Sequence, residues 1–462
     1  MTEIAGYRVV QASVFWLVAI AVLHSSLWLG ANRPFAWISL SILVLLALSV
    51  QAVLDTRDRS ARRLWSRCVL LAFPYSLVIF WALLQTAPIP FSELAHPAWS
   101  SLPDLGAISP DPSAGLQGAL RLSLYGALFW IGARAASDPT RMRLFVDVIA
   151  IFSIALAVYG LAAVWIGANP ITGPSAYPGS VTASFVNRNA YAMYSGIGAM
   201  ACLTSLALRL PGDRVLTFRG FLDLAFARGP VFSAGFCVLL TAVAMTGSRA
   251  GAASVLVGLL VLACTVVTPK RRGSITAVLC VLALPLIFAA WNADELWNRL
   301  ADANLLENKR LALYAVIIQA IAERPWTGYG LGAFQDAFRS HMPAGFSAAD
   351  WDLAHSSYLE NAFELGLPAA TTFYALLFAV CWRLGLGLRR RRSQRPLVAF
   401  GLAITVSAGL HGGLDFSLQM PATAALFALI LGASWALSRK STARNIVAAP
   451  VLPPVGYRSQ FE

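Results

Sequence analysis

Apolar residues run through this chain in long uninterrupted stretches, and polar residues collect in the connectors between them. About 18 or more consecutive apolar residues are enough for a helix to cross a bilayer. The pattern predicts about twelve such spans, at 12–31, 35–53, 68–86, 116–136, 144–167, 189–210, 230–246, 250–268, 275–291, 361–382, 396–414 and 421–438. The expected fold class is therefore an all-α polytopic membrane protein. One interval in the second half breaks the pattern. Residues 291–360 carry Asp, Glu, Asn, Lys and Arg at ordinary soluble-protein density, which leaves a large loop, 292–360, between the ninth and tenth spans.

A 3.6-residue period returns inside that loop. The stretch 308–321 predicts an amphipathic helix that stops before Pro325. The glycines of 327–332 predict a turn that needs a permissive backbone, and 333–340 predicts a second short helix. His355 then falls a few residues before the next span, near the membrane surface.

Composition supports the membrane reading. Of 462 residues, 58% are apolar and only 12% charged, about half the roughly 25% of a soluble domain. Mean hydropathy is +0.66. The first apolar run lacks a small-residue cleavage site and is followed by another span, so it reads as a retained helix. The net charge of +13 does not point to nucleic acid, because the basic residues cluster in short connectors, where they orient spans. All six cysteines lie in or at the ends of apolar runs without metal-ligand spacing, as small core residues do. No metal site and no cofactor is expected.

Charge also sets the orientation. Arg57, Arg59, Arg62, Arg63 and Arg67, then Arg141 and Arg143, Arg214, Arg219 and Arg228, Lys270–Arg272, Arg389–Arg392 and Arg439–Lys440 fall on alternate connectors. The connector 87–114 on the other side has no Lys or Arg at all. The positive-inside rule places the basic set and both termini in the cytoplasm and the large loop outside. The tail 439–462, with Pro450, Pro453 and Pro454, reads as a disordered cytoplasmic end.

On the outer side, Arg188 and Arg249 each stand alone where a loop meets a span. A guanidinium there either snorkels along the headgroups or offers its planar fork to phosphate oxygens. Arg121 falls inside the fourth span, where a charge either faces a cavity or reaches outward. His355 is of the residue type that can accept a proton near neutral pH, although a lone loop histidine is more often structural or merely exposed. His411 and Asp415 are four residues apart at the end of the eleventh span, close enough for one to orient the other or simply to cap the helix. The run Gly328-Tyr329-Gly330-Leu331-Gly332 has no preceding strand to make it a nucleotide loop. Its amides remain suited to some other anion.

Several of these stretches together resemble the shared domain of O-antigen ligases and O-antigen polymerases. One is Arg310 to Tyr314 followed by Arg324-Pro325-Trp326-Thr327-Gly328-Tyr329-Gly330-Leu331-Gly332-Ala333-Phe334. Another is Ala354-His355-Ser356-Ser357-Tyr358-Leu359 with Glu364-Leu365-Gly366, and a third is Thr246-Gly247-Ser248-Arg249-Ala250-Gly251. Phe185 to Asn189 is similar to the family's Asn-rich start of an earlier span, and His411, Asp415 and Pro421 to its last outer turn. The likeness covers roughly 180–435. Two positions depart from the family's usual pattern: Ser356 stands where Asn is common, and Tyr314 where Trp is common.

The resemblance implies a C-type membrane glycosyltransferase (GT-C) with a large helical periplasmic loop. It would be made of N-terminal spans over 1–179, a ligase/polymerase-like domain over 180–438 and the tail. The implied reaction moves a glycan from undecaprenyl pyrophosphate to an acceptor hydroxyl at the periplasmic face of the bacterial inner membrane. It is metal-independent and inverting. By carry-over, Arg188 and Arg249 would bind the pyrophosphate and His355 would be the base; Arg310, Tyr314, His411, Asp415 and Arg121 would be supporting residues. A ligase would pass the glycan to lipid A–core, a polymerase to a second lipid-linked repeat unit, and a protein O-glycosyltransferase to Ser or Thr. A twelve-span transporter competes on span count and on the basic stretch 55–63. The chain, however, shows no half-to-half repeat, and its polar residues lie outside the spans.

Overall fold

A computed structural model describes residues 2–89, 93–101, 106–173, 176–210, 218–266, 311–342, 353–390 and 394–439. The described secondary structure is helical throughout. The helices used below are α1 (Thr2–Ser25), α2 (Pro34–Thr56), α3 (Arg59–Leu84), α4 (Pro112–Ala135), α5 (Pro139–Ile166), α6 (Arg188–Leu208), α7 (Pro230–Met245) and α8 (Arg249–Val266). They continue with α9 (Leu311–Glu323), then α10 (Phe334–Phe338), α11 (Ser357–Leu365), α12 (Leu367–Arg390), α13 (Arg395–Leu414) and α14 (Pro421–Leu437).

Eight of these, α1, α2, α3, α5, α6, α8, α12 and α13, are long and apolar enough to cross a membrane. This is the architecture of a polytopic membrane protein. The expected fourth, seventh and twelfth spans are the helices α4, α7 and α14; α4 carries two arginines, and α7 and α14 have only 16 and 17 residues. The ninth expected span, 275–291, lies outside the described residues. The tenth is shifted. Instead of starting at 361, the chain forms α11, turns at Gly366 (φ +77°) and only then begins α12. Gly366 is required there, because a Cβ would lie 2.6 Å from the carbonyl oxygen of Trp326.

Local chemistry starts the helices where they start. Asp58, Asp111, Asp138 and Asn187 cap α3, α4, α5 and α6 by accepting amide hydrogens of the first turn. Proline occupies the first turn of α2, α4, α5, α7, α13 and α14, where its missing N–H costs nothing.

Close packing depends on small residues. At the α4–α14 crossing, a Cβ on Gly432 would lie 1.9 Å from the Phe129 carbonyl oxygen, so the two backbones approach as glycine alone permits. α6 is buried on nearly every face, among α5, α7, α8 and α13. Large apolar side chains such as Leu70, Trp165 and Phe378 point outward, as they do towards lipid.

At one end of the bundle Arg134 is sealed beneath α1–α4. It donates to Asp55 (2.8 Å) and Asp58 (2.5 Å) and to the Tyr7 hydroxyl. The two carboxylates of the stretch that suggested a transporter loop thus serve an internal ion pair. The opposite end, where α2, α4, α6, α8, α12 and α14 begin, holds the large loop and is called the site end below.

Candidate active site

Two short turns meet at the site end. The first, 353–356, precedes α11 and carries His355 in a left-handed conformation (φ +52°). For a residue with a Cβ this conformation is strained and must be held by its surroundings. The Tyr314 hydroxyl, from α9, donates to the His355 carbonyl oxygen (2.9 Å), and the Ala354 amide donates to Oε2 of Glu360 (2.9 Å).

The second turn, 415–420, follows α13 and carries Asp415. Its amide donates to the His411 carbonyl oxygen (2.8 Å), and its Oδ1 accepts the Phe416 amide (2.8 Å). The same Oδ1 lies 3.7 Å from His355 Nδ1, and Oδ2 accepts a hydrogen bond from the Asn189 amide group. Asp415 is 2% exposed against 18% for His355. Burial works to raise the Asp415 carboxyl, but the imidazoles of His355 and His411 and the Phe416 amide outweigh it and hold the carboxyl below its ordinary range. The result is a buried carboxylate facing a half-covered imidazole, with Phe416 packed on the histidine ring at 5.1 Å between centroids.

The two turns are tied further. Gln419 donates to Glu360 Oε1 (2.6 Å), so one buried carboxylate bridges the turn bearing His355 and the turn bearing Asp415. Ser357 donates to the Asp415 carbonyl oxygen (3.1 Å), and Tyr358 to that of Gly409 (2.7 Å).

Arg188 and Arg249 enter from the other side. Arg188 is the first residue of α6, just after the Asn187 cap, with its guanidinium 5.1 Å over the Tyr177 ring. Arg249 is the first residue of α8, following Ser248, whose hydroxyl accepts the Gly251 amide (3.1 Å). Val181 donates to the Met245 carbonyl oxygen (2.9 Å), and Gly251 packs against Ala192, so both helices begin at the same end. Two helix N-termini and two guanidiniums there make an environment for an anion. The link to His355 is short: Asn189, the covalent neighbour of Arg188, donates a hydrogen bond to Asp415, which faces His355.

The remaining expected residues fall as follows. His411 is fully buried beneath Asp415, with Nδ1 2.8 Å from the Ser417 hydroxyl, so it supports the turn from behind. Tyr314 grips the backbone of His355. Arg121 lies over the Trp37 ring at 4.7 Å, in another part of the site end. Arg310 lies outside the described residues.

The glycine turn 328–332 has an internal partner for its amides. Glu364 Oε1 accepts the Phe334 amide (3.1 Å), and the Gly332 amide also serves that carboxyl. Burial and the nearby Glu360 raise Glu364 well above the ordinary carboxyl range. The turn is thus a structural corner. Gly330 (φ +105°) leaves no room for a Cβ, which would lie 2.4 Å from Ser109.

Sequence reasoning gave no role to Asn189, Glu360, Gln419 or Gln85. Gln85 is fully buried at the end of α3; its side-chain amide donates to the carbonyl oxygens of Thr327 (2.7 Å) and Glu364 (2.8 Å) and accepts from Leu331 N (3.3 Å). With Arg324, which donates to the Leu94 and Ala95 carbonyl oxygens (3.2 and 2.8 Å), it docks the connector 87–114 on the large loop. The available signal was a lone amide or carboxylate beside an apolar run, which does not reveal its partner.

A family model described as O-Antigen ligase matches residues 234–374, which take in Arg249, Tyr314 and His355. No curated protein matches the chain.

Proposed function

Taking the O-antigen ligase-type domain as the premise, whose family members are membrane glycosyltransferase-like enzymes acting on lipid-linked glycans, we propose that this protein transfers a glycan from undecaprenyl pyrophosphate to an acceptor hydroxyl. His355 is the general base. Asp415 fixes its Nδ1 side, leaving Nε2 to take the acceptor's proton as the oxygen attacks the anomeric carbon. The bond from that carbon to the pyrophosphate oxygen breaks, and Arg188 and Arg249 neutralise the charge that develops on the leaving group. Direct displacement of this kind inverts the anomeric configuration and needs no metal.

The observation that carries this reading is the chain of contacts His355–Asp415–Asn189, which ends one residue from Arg188. That chain supports a reading in which the base and the pyrophosphate grip act on two sides of one site. Fixed cations stabilise a developing oxyanion at little reorganisation cost, and a histidine base contributes about 10²–10⁴-fold. The basic connectors at the opposite end favour a periplasmic site in the inner membrane, with cytoplasmic termini. The acceptor favoured is lipid A–core, as for a ligase.

The test is transfer by purified protein carrying His355→Ala, Arg188→Ala or Arg249→Ala. Each is expected to insert normally and to lose activity by about 10²-fold or more; full activity in all three would refute the site. In a deletion strain, loss of lipid A-attached polymer with accumulation of long lipid-linked chains marks a ligase. Accumulation of single repeat units marks a polymerase.

A further inference from the structure

Helix α4 carries two arginines that meet opposite fates. Arg134 is 3% exposed and is balanced inside the protein by Asp55 and Asp58. Arg121, thirteen residues earlier on the same helix and so roughly 20 Å away, has no carboxylate among the described residues. Its guanidinium carbon lies 4.7 Å over the Trp37 ring, and its Nε is buried with no hydrogen-bond partner among those residues. Trp37 is itself 1% exposed, and its Nε1 also has no partner among them.

The position is close to the site already described. Trp37 follows Ala36, which packs with Ala31 and Ala422 in one apolar cluster. Ala422 is the second residue of α14, directly after the turn that carries Asp415 and Gln419. On the other side of Ala31, Gly30 packs against Phe185, in the loop that leads to Arg188. Arg121 therefore stands in the same layer as the two turns, on a different helix from Arg188 and Arg249.

A ring face holds a guanidinium in place but does not offset a charge taken out of water. In a membrane protein an ionisable residue without an internal partner faces a substrate or a polar cavity. At this depth, just inside the loops, the anion at hand is a lipid phosphate, whose oxygens match the guanidinium fork. We infer that Arg121, seated on Trp37, binds the phosphate of a second lipid and forms a subsite apart from Arg188 and Arg249. In the reaction proposed above, on which the assignment to a substrate rests, that lipid is the acceptor. A bulk headgroup offers the same chemistry.

The experiment uses the full-length protein in lipid nanodiscs, with Arg121→Gln and Arg121→Lys. Transfer is measured to lipid A–core with and without its phosphates, and lipid adducts are read by native mass spectrometry with a polyprenyl monophosphate and with phosphatidylglycerol. Arg121→Gln is expected to raise KM for the phosphorylated acceptor about tenfold, the effect of losing one charge-assisted contact. The donor KM stays unchanged, and the dephosphorylated acceptor is insensitive to the substitution. Arg121→Lys keeps the charge without the fork and is expected to fall between; it supplies the reading if the glutamine variant does not assemble.

Loss of only the phosphatidylglycerol adduct, with unchanged kinetics, assigns the site to bulk headgroup and removes the acceptor role. Wild-type kinetics and wild-type adducts overturn the proposal. Adducts are read without turnover, so a failure of the transferase reading, shown by a wild-type protein that transfers no glycan, leaves the adduct result standing on its own.

Discussion

The imidazole Nδ1 of His355 and the carboxylate Oδ1 of Asp415 stand 3.7 Å apart, brought together from turns sixty residues distant in sequence. The separation is that of a charge pair and longer than a good hydrogen bond, and such apo contacts commonly tighten when substrate binds. Asp415 is fixed from three sides, by Asn189, the Phe416 amide and its own amide on His411, so the histidine is the member free to adjust.

Asp415→Asn is expected to keep the shape and lose the charge and the tautomer control. Transfer should fall about 10²- to 10⁴-fold, the range for a group that orients a catalytic histidine. The donor KM should hardly move. Steady-state kinetics on purified protein checks this, and activity within twofold of wild type counts against an orienting role.

Glu360 links the turns of His355 and Asp415 through Ala354 N and Gln419 Nε2. Glu360→Ala should lower kcat by tenfold or more, with partial recovery in Glu360→Gln, which keeps one acceptor. In a His355→Ala background the same change should have little further effect, because positioning matters only while the base is present. Additive losses in the double variant would mean that Glu360 acts independently of His355.

Glu364 is raised by burial and by Glu360, so the folded protein holds its proton at a pH where the unfolded chain, at about 4.3, has released it. Where the unfolded state binds fewer protons than the folded state, stability falls as pH rises. The loss starts near the unfolded value and is complete above the folded one. Thermal stability of the wild type should therefore fall as pH rises above mildly acidic values, and Glu364→Gln should flatten that slope. An identical pH dependence in the variant would show that the carboxyl is not the source.

Gln85 joins the end of α3 to the glycine turn through three hydrogen bonds. Gln85→Ala leaves buried carbonyls of Thr327 and Glu364 without this donor, at a cost of about 1–3 kcal/mol. The expected result is a lower Tm and faster proteolysis of the loops, with any activity loss following stability. Limited proteolysis and a thermal shift in the same detergent measure both.

Hydrophobic periodicity placed the helices well because a span needs its apolar residues contiguous, and capping residues mark its start within a turn. Asn187 before α6 and Pro34 in α2 are legible in this way. Where the prediction slipped, at 361–382, the helical period continued through Gly366 although the chain turns there to dock on Trp326 and Pro325. Period alone does not register a contact forty residues away.

The chemistry divides similarly. The sequence by itself determined a helical membrane chain, one large polar region that contains His355, and isolated arginines where loops meet spans, because composition and charge are local properties. Only the tertiary structure decided that Asp415 faces His355, that Asn189 joins them to Arg188, that Glu364 fills the glycine turn, and that Arg134 is balanced by carboxylates while Arg121 has none among the described residues. Each of those depends on which side chains share a small buried volume, and that volume exists only after the helices have packed.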